Sequence, residues 1–309
     1  MEKRPLYSAA NEWLTNYKRN SVKAATYDRL LISFKLMKHY DISDKAVSEI
    51  KAMDIQKYLN MLVTDGYSRS TVKKQLDLIT AYMKYAFAQN DISSPVYLTV
   101  KLPSEEAIRA PQKTIEAYSP IEQRKLLKIF TTLDKPAYAA PVLMLEAGLR
   151  VGEVLSLTWS DIDWRRKAVK VGKTLVRLSA STDTFVQQSP KSKSSRRVIP
   201  LSDTAIDILE RLSDQEDTSG FIFYAKNDPF TPESYSSLEY HVKAAFRRID
   251  IPYKGMHAFR HTFASNCYDR GCDVKILSKL LGHADVSITY NTYIHLYGDD
   301  LEVMRKVLG

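Results

Sequence analysis

The chain has 309 residues, of which 44% are hydrophobic and 26% charged, and its formal net charge is +9. No uninterrupted apolar run approaches the roughly 20 residues that span a bilayer, which argues against an integral membrane protein. The beginning, MEKRPLYSAANEWL, has no apolar segment typical of a secretory signal, and Cys267 and Cys272 form no disulfide framework. We therefore expect a cytoplasmic protein whose basic charge suits a polyanionic partner such as nucleic acid.

Residues 8–90 show helical periodicity. Apolar residues recur at helical spacing in SAANEWLTNYKRN, AATYDRLLISFKLMKHYD, DIQKYLNMLVTDG and SRSTVKKQLDLITAYMKYAFAQND. Asp54 is a candidate N-cap and Gly66 a candidate C-cap of the third helix, and Ser68 or Ser70 is a candidate N-cap of the fourth. The pattern predicts a small all-α bundle of four helices.

The helical pattern breaks in residues 91–118, which contain three prolines. We interpret residues 109–118 as a linker between domains. A new helix is predicted at Ser119, a candidate N-cap followed by Pro120 at the first helical position and Glu122 three residues after the cap.

The second part mixes strands with helices. AVKVGKTLVRLS and RRVIPLS alternate as strands do, with the polar, basic loop SPKSKSSR between them. Helices are predicted over residues 137–147, 151–158, 202–213, 232–248, 257–270 and 273–281. The fold class is therefore mainly α with a small antiparallel sheet (α+β): a four-helix domain over 1–108, a linker over 109–118 and an α+β domain over 119–309.

Arg150 lies in PVLMLEAGLRVGEVLSLTWSDID, where one apolar helix stops at Gly148 and another begins. From this junction its guanidinium could point at a bound phosphate. The alternative is an arginine that caps the helix or pairs with Glu153.

The loop after the first strands carries Lys191, Lys193, Arg196 and Arg197. On a flexible loop any of them could contact a DNA backbone. The alternative is that they are ordinary solvated charges.

The segment HAFRHTFAS places His257 and His261 on one helical face, as zinc ligands lie in HExxH motifs. Ala258 stands where that motif needs its glutamate, and no Cys/His cluster of zinc spacing completes a site. The pattern therefore favours an anion site, because His257 and Arg260 are one turn apart and present two donors to one anion.

In DVKILSKLLGHADVSITYNTYIHLY, His283 lies just beyond the end of a predicted helix, and a second helical stretch contains Tyr290, Tyr293 and Tyr297. Tyrosines at such spacing are usually core or interface residues. Residues 257–293 also resemble a helix-turn-helix, which would read DNA without chemistry.

Taken together and in this order, AGLRVGEVLSLTWSDID, PKSKSSRRVIPL, HAFRHTFAS and LLGHADVSITYNTYIH resemble the tyrosine recombinases, or phage integrase family, and most closely integrases of bacterial mobile elements. The resemblance covers the whole second part, and the four-helix segment looks like the family's core-type DNA-binding domain. We find no pattern for the arm-type domain that larger members carry. No Walker A loop, GxGxxG or GxSxG motif competes.

The resemblance implies that a tyrosine hydroxyl attacks a DNA phosphodiester, forms a 3′-phosphotyrosine link and frees a 5′-hydroxyl. A 5′-hydroxyl of another strand then attacks the link, so no ATP, cofactor or metal is implied. Arg150 and Arg260 match the two arginines that clamp the non-bridging oxygens. His257 matches the hydrogen-bond donor or acid/base aid, and Glu153 an acidic support.

The remaining roles fall on three more positions. Lys191, with Lys193 as the alternative, matches the hairpin lysine that protonates the leaving 5′ oxygen. His283 matches the second histidine, which hydrogen-bonds the scissile phosphate.

Tyr293 matches the nucleophile, because it precedes Ile294 and His295 as in the family's Tyr-x-His ending. The gap from the preceding histidine is one residue longer than in many members. Tyr290 and Tyr297 are the alternatives.

The resemblance also implies a C-shaped clamp around double-stranded DNA and a homo-tetramer on specific recombination sites, joined through a C-terminal helix in residues 298–309. Accessory DNA-bending or directionality proteins fit such a reaction. We expect integration and excision of a mobile element at the bacterial nucleoid. Two alternatives remain: a catalytically silent, sequence-specific DNA-binding protein on the same fold, and a type IB-like topoisomerase.

Overall fold

The computed structural model describes residues 3–108, 116–133, 135–179, 182–188, 196–215, 218–225 and 228–293; for 177–179, 182–188, 291 and 293 only the backbone is described. The chain divides into two compact units. The first comprises Met1–Lys113 with Leu178–Thr182, and the second Thr114–Arg177 with Asp183–Gly309. Across the described residues, no helix combines the length and the apolar character needed to cross a membrane.

The first unit is helical, as the periodicity predicts. Its large buried side chains include Trp13, Tyr58 and Tyr82, which belong to one hydrophobic core. Its helices are α1 (Leu6–Trp13), continued by a π-helical turn, Leu14–Lys18, then α2 (Ala24–Met37), α3 (Ala52–Thr64) and α4 (Arg69–Ala88).

Most of the helix ends in this unit lie where the capping residues indicate. Ser68 is the N-cap of α4 and accepts a hydrogen bond from the N–H of Thr71 at 3.4 Å. Gly66 follows the end of α3 with a φ of 81°. The prediction of Asp54 as an N-cap is wrong: α3 begins one turn earlier, and the Asp54 carboxylate instead accepts the N–H of Lys51, the true N-cap, at 2.8 Å.

The second unit begins at the predicted capping box. The Ser119 hydroxyl accepts the N–H of Glu122 at 3.3 Å, and the Glu122 carboxylate accepts the N–H of Ser119 at 2.6 Å. The helices are α5 (Pro120–Thr132), α6 (Ala139–Ala147), α7 (Val151–Val154), α8 (Asp203–Gln215), α9 (Tyr235–Phe246), α10 (Met256–Asp269), α11 (Val274–Leu281) and α12 (Val286–Tyr293). Helix α7 is one turn shorter than predicted.

Small sheets complete this unit, which confirms the predicted fold class. The strands are β1 (Ile162–Asp163), β2 (Ala168–Val171), β3 (Thr174–Ser179), β4 (Thr182–Gln188), β5 (Arg197–Pro200), β6 (Tyr224–Ala225) and β7 (Asp228–Pro232). They form a three-stranded antiparallel sheet in the order β1-β2-β5 and two-stranded sheets β3-β4 and β6-β7. The segment AVKVGKTLVRLS, predicted to be extended, forms two strands: β2 ends at Val171, and β3 begins at Thr174 in a different sheet. Strand β4 was not predicted, since its sequence TDTFVQQ is largely polar.

Helix α6 lies at the centre of the second unit's core. Apart from Glu146 it is apolar on all sides, as expected of a largely buried helix, and every residue from Ala139 to Leu145 is buried. Of the predicted linker, residues 109–115 lie outside the described part of the chain. Tyr118 is buried, and its N–H donates to the Thr262 hydroxyl of α10 at 2.8 Å. The chain is therefore anchored to α10 directly before the second unit's first helix.

Candidate active site

Arg150 is the N-cap of α7, two residues beyond the left-handed Gly148 that ends α6. Its N–H donates to Oε2 of Glu153 at 2.8 Å, and its Nη1 donates to Oε1 at 2.9 Å. The side chain is 35% exposed, so the guanidinium remains open to solvent on one side. The pairing with Glu153 that the sequence offers as an alternative is present, and it leaves the arginine accessible.

Arg260 is buried on α10 and bridges two helix ends. Its Nη1 donates to the carbonyl of Gly148 and its Nη2 to the carbonyl of Leu281, both at 2.7 Å. A Cβ at Gly148 would collide with the ring of Phe263, one turn further along α10. Glycine at this turn therefore lets α10 approach closely enough for Arg260 to reach the end of α6.

His283 follows α11 and lies beside Arg260, with Nε2 at 3.1 Å from Nη2 of the arginine. Arginine only donates hydrogen bonds, so Nε2 is the acceptor and the ring proton lies on Nδ1. Nδ1 is 2.7 Å from the hydroxyl oxygen of Thr289, which is fully buried. Burial and the nearby charges of Arg260 and Arg150 lower the pKa of His283 to about 4, which keeps the ring neutral.

Arg197 contradicts the prediction that the basic loop offers solvated or DNA-contacting charges at this position. Its side chain is only 7% exposed, and it donates from Nη1 and Nη2 to the two oxygens of Glu153 at 3.0 and 2.9 Å. The alternation of β5 could have indicated this, because Arg197 shares a strand face with the buried Ile199, whereas Val198 is exposed. Arg196 is exposed.

The arginine cluster, defined as Arg150, Arg197 and Arg260, surrounds one buried carboxylate and one helix end. Glu153 lies 2.9 Å from Arg150, 2.9 Å from Arg197 and 3.9 Å from Arg260. Burial alone would raise the pKa of Glu153, but Arg197 and Arg150 outweigh it and hold that pKa below its ordinary value. The last carbonyls of α11 accept from the cluster in order: Leu280 from Arg197 at 2.6 Å, Leu281 from Arg260, and Gly282 from Arg150 at 3.4 Å.

The cluster therefore carries an excess of positive charge, since three guanidinium groups face one carboxylate and the negative end of a helix dipole. His257, in the first turn of α10, is an exposed residue. Partial desolvation, then Arg260 and Arg150, lower the pKa of His257. The arrangement suits a bound anion that approaches from the exposed side of Arg150.

Some predicted site residues are described only in part or not at all. Lys191 and its alternative Lys193 lie outside the described residues, as does Tyr297. Tyr293 is the last residue of α12, and its backbone alone is described. Thr289, on the same helix, was not predicted as a site residue, and only its contact with His283 identifies it. Within the described part of the chain, no group of three or more His, Cys, Asp or Glu side chains is arranged to hold a metal.

This chain belongs to the phage integrase family, whose family model matches residues 119–299. It is a tyrosine recombinase, an enzyme that breaks and rejoins DNA, as the ordered motifs predict. The predicted family, enzyme class and fold are therefore confirmed. The roles of the individual site residues stay predictions.

Curated relatives and solved structures agree with this membership. The chain is 28% identical to a XerC-like tyrosine recombinase of Caldanaerobacter subterraneus subsp. tengcongensis, over 92% of this chain and 77% of that protein. It is 24% identical to the transposase from transposon Tn916 of Enterococcus faecalis, over 98% and 76%. A structure of the Tn1549 transposon integrase with a circular intermediate DNA has a TM-score of 0.79 at 19% identity, covering 99% of both chains. A lambda integrase dimer bound to a core site has a TM-score of 0.67 at 16% identity, covering 94% and 77%.

Proposed function

We propose that this chain recombines specific DNA sites through a covalent 3′-phosphotyrosine intermediate, with Tyr293 as the nucleophile. The observation that carries the proposal is the arginine cluster, because it concentrates positive charge beside an accessible face. A phosphodiester under attack passes through a phosphorane-like centre with more negative charge than the ground state. Fixed guanidinium donors stabilise that extra charge.

Arg150 and Arg260 are the proposed clamps on the two non-bridging oxygens. A guanidinium acts here as a hydrogen-bond donor only, so this stabilisation needs no proton transfer. In the structure Nε2 of His283 accepts from Arg260. A phosphate that takes over the Arg260 donor would release Nε2 and, through its negative charge, favour a proton there. His283 would then donate to the same phosphate.

The remaining steps fall to His257, Lys191 and Tyr293. The Tyr293 oxygen forms a bond to phosphorus as the bond to the 5′ oxygen breaks. In the same step His257, as the acid/base aid, accepts the proton of the tyrosine hydroxyl. Lys191 gives a proton to the departing 5′ oxygen. Reversal with the 5′-hydroxyl of a second strand restores the phosphodiester and frees the tyrosine.

The biological setting that we propose is integration and excision of a mobile element, because relatives include a transposon transposase and a structural neighbour is a transposon integrase seen with DNA. Residues 1–108 would bind the core-type site, joined by the linker 109–118 to the catalytic domain over 119–309. We propose that the protein acts in the cytoplasm, at the nucleoid. Accessory DNA-bending or directionality proteins would assist the reaction.

We propose that the protein acts as a homo-tetramer on double-stranded DNA, linked through a C-terminal helix in residues 298–309. This segment lies outside the described residues. A related lambda integrase has been seen as a tetramer on a Holliday junction. Truncation at Gly298 tests the proposal, because unchanged assembly and strand exchange would contradict it.

The central test is covalent capture. The protein is incubated with fragmented host DNA and with nicked duplexes that trap cleavage, denatured in SDS, and analysed for DNA that stays attached. We expect an adduct with the native protein and none with Tyr293→Phe, while Tyr290→Phe and Tyr297→Phe serve as matched controls. An adduct that survives Tyr293→Phe would contradict the assignment of the nucleophile. Salt-sensitive specific binding with no adduct on any substrate would favour the silent DNA-binding alternative, and adducts without strand transfer between two DNAs would favour the topoisomerase.

A further inference from the structure

Arg197 joins the two structural supports of the arginine cluster. One support is the carboxylate of Glu153 and the other is the C-terminal end of α11, and Arg197 donates to both. We propose that Arg197 is a positioning residue for DNA cleavage, which orients Arg150 through Glu153 and His283 through the end of α11. This inference rests on the proposed function above.

The first connection runs through Glu153. Arg197 binds both oxygens of this carboxylate side by side, and so fixes the plane of the carboxylate. In that plane Oε1 faces Nη1 of Arg150 and Oε2 faces its backbone N–H. Without Arg197 the Glu153 carboxylate keeps its hydrogen bonds with Arg150 but loses the two that fix it from the opposite partner. The direction of the Arg150 guanidinium is then set less firmly.

The second connection runs through the turn that carries His283. Nε of Arg197 donates to the carbonyl of Leu280 at 2.6 Å. A Cβ at Gly282, whose φ is +64°, would lie 2.8 Å from Nη1 of Arg197. The guanidinium therefore packs directly against the turn, and His283 is the next residue. A displacement of Arg197 would shift this turn, and with it the Nε2 atom that faces Arg260.

Arg197 is not one of the two proposed clamps on the phosphate, because both of its Nη atoms are held by the carboxylate of Glu153. Arg260 is as deeply buried, but its Nη2 also faces Nε2 of His283, where we propose that the phosphate binds. Three donor directions are used at once, two to Glu153 and one to Leu280. A lysine has one ammonium on a flexible stem and cannot reproduce this planar fork, so the position calls for arginine in particular.

The test compares Arg197→Lys and Arg197→Met with the native protein in single-turnover cleavage of a nicked duplex. We expect the cleavage rate constant to fall on the order of 100-fold in Arg197→Met, since small displacements of catalytic groups have effects of that size. Arg197→Lys should recover part of this loss, while the Kd for DNA stays within about twofold in both. The matched control is Ile208→Ala, which loosens the buried face of α8 in the same unit and should leave the rate unchanged. Loss of rate in the control equal to that in Arg197→Met would overturn the proposal.

A second readout is independent of cleavage. Side-chain ¹⁵N chemical shifts of His283 report which ring nitrogen carries the proton. The native protein should show the proton on Nδ1, and Arg197→Lys should show a mixture of tautomers or a displaced titration. An unchanged His283 signal together with an unchanged rate would refute the positioning role. If the native protein itself fails to cleave DNA, the proposed function fails, and the His283 signal still decides whether Arg197 positions this histidine.

Discussion

Nη2 of Arg260 lies 3.1 Å from Nε2 of His283, and this contact fixes the tautomer of the histidine. The ring proton then points from Nδ1 to the buried hydroxyl of Thr289 at 2.7 Å. The site residues are thus connected from α10 through His283 to α12, the helix that ends at Tyr293. One imidazole thus links the arginine cluster to the helix that carries the proposed nucleophile.

Replacement of Thr289 by valine tests this connection. Valine has nearly the same shape but removes the acceptor for the Nδ1–H, and a buried donor without a partner costs about 1–3 kcal/mol. We expect a cleavage rate lower by about 10-fold or more, because 1.4 kcal/mol corresponds to one factor of ten. Single-turnover cleavage measures the effect.

Thr131→Val is the matched control for that variant. The Thr131 hydroxyl donates to the carbonyl of Leu127 within α5, away from the arginine cluster. Thr131→Val therefore removes one threonine hydrogen bond, as Thr289→Val does, but without affecting His283. Its cleavage rate should equal that of the native protein. Equal rates for Thr289→Val and the native protein would show that Thr289 does not orient His283.

The stability of the protein should fall when the pH drops from about 6.5 towards about 4. In this window the unfolded chain protonates His283, whose ordinary pKa is 6.5, whereas the folded protein resists protonation because its pKa is about 4. The unfolded state binds more protons, and the free energy of unfolding decreases with falling pH. Above about pH 6.5 both states are neutral at this residue, so the contribution no longer changes.

Thermal unfolding of the native protein and of His283→Gln at several pH values within this window measures the effect. The variant lacks the titrating ring, so its Tm should fall less steeply with acidification. The Tm of His283→Gln should still fall somewhat with acidification, since the pKa of His257 is lowered too. Parallel slopes for the two proteins would contradict the burial of a neutral His283.

Arg150→Lys and Arg260→Lys should have similar effects on cleavage and different effects on stability. Each replaces a guanidinium that we propose to bind the phosphate, and removal of one preorganised donor costs on the order of 10²–10³ in rate. Arg260 is 8% exposed and holds two carbonyls, so its loss should lower the free energy of unfolding by about 3 kcal/mol or more. Arg150 is more exposed, so Arg150→Lys should lower the free energy of unfolding by less than Arg260→Lys does.

Urea unfolding monitored by far-ultraviolet circular dichroism, beside cleavage assays, separates the two effects. Arg211→Lys provides a matched control, because Arg211 also donates to a backbone carbonyl, that of Thr131, but is exposed on α8. Arg211→Lys should change neither the free energy of unfolding nor the cleavage rate. An Arg260→Lys protein as stable as Arg150→Lys would show that the two carbonyl contacts of Arg260 contribute little to the fold.

Gly282→Ala and Gly271→Ala form a pair that isolates the contact with Arg197. Both glycines follow helices with positive φ, 64° and 76°, so alanine should cost about 1–2 kcal/mol of backbone strain at either position. Only at Gly282 would the added Cβ also meet Arg197; at Gly271 it meets no described atom within 4 Å. We expect cleavage to drop in Gly282→Ala alone.

Thermal unfolding and single-turnover cleavage of both proteins measure this difference. Gly271→Ala should lower the Tm with little change in rate. Equal cleavage by the two variants would mean that the turn before His283 tolerates a displaced Arg197.

Local signals in the sequence determined several helix ends and the family of this protein. The capping box of Ser119 and Glu122, the left-handed Gly66 and the cap of Ser68 were all predictable, because each depends on a few neighbouring residues. The ordered motifs identified the family, and with it the expected chemistry of Arg150 and Arg260. Asp54 shows the limit of such signals: an acidic residue favours the whole first turn of a helix, so it does not fix where the helix begins.

Only the tertiary structure decided which charges are buried. Arg197 stands at the end of a run of basic residues, and the alternation of β5 puts it on the face of the buried Ile199, but no local signal reveals a partner for its charge. Its burial depends on Glu153, 44 positions earlier, and on Leu280, 83 positions later, which the fold brings to one place. A buried ion pair is stable only where both partners and the remaining hydrogen-bond acceptors meet, and this condition belongs to the packed chain rather than to any local segment.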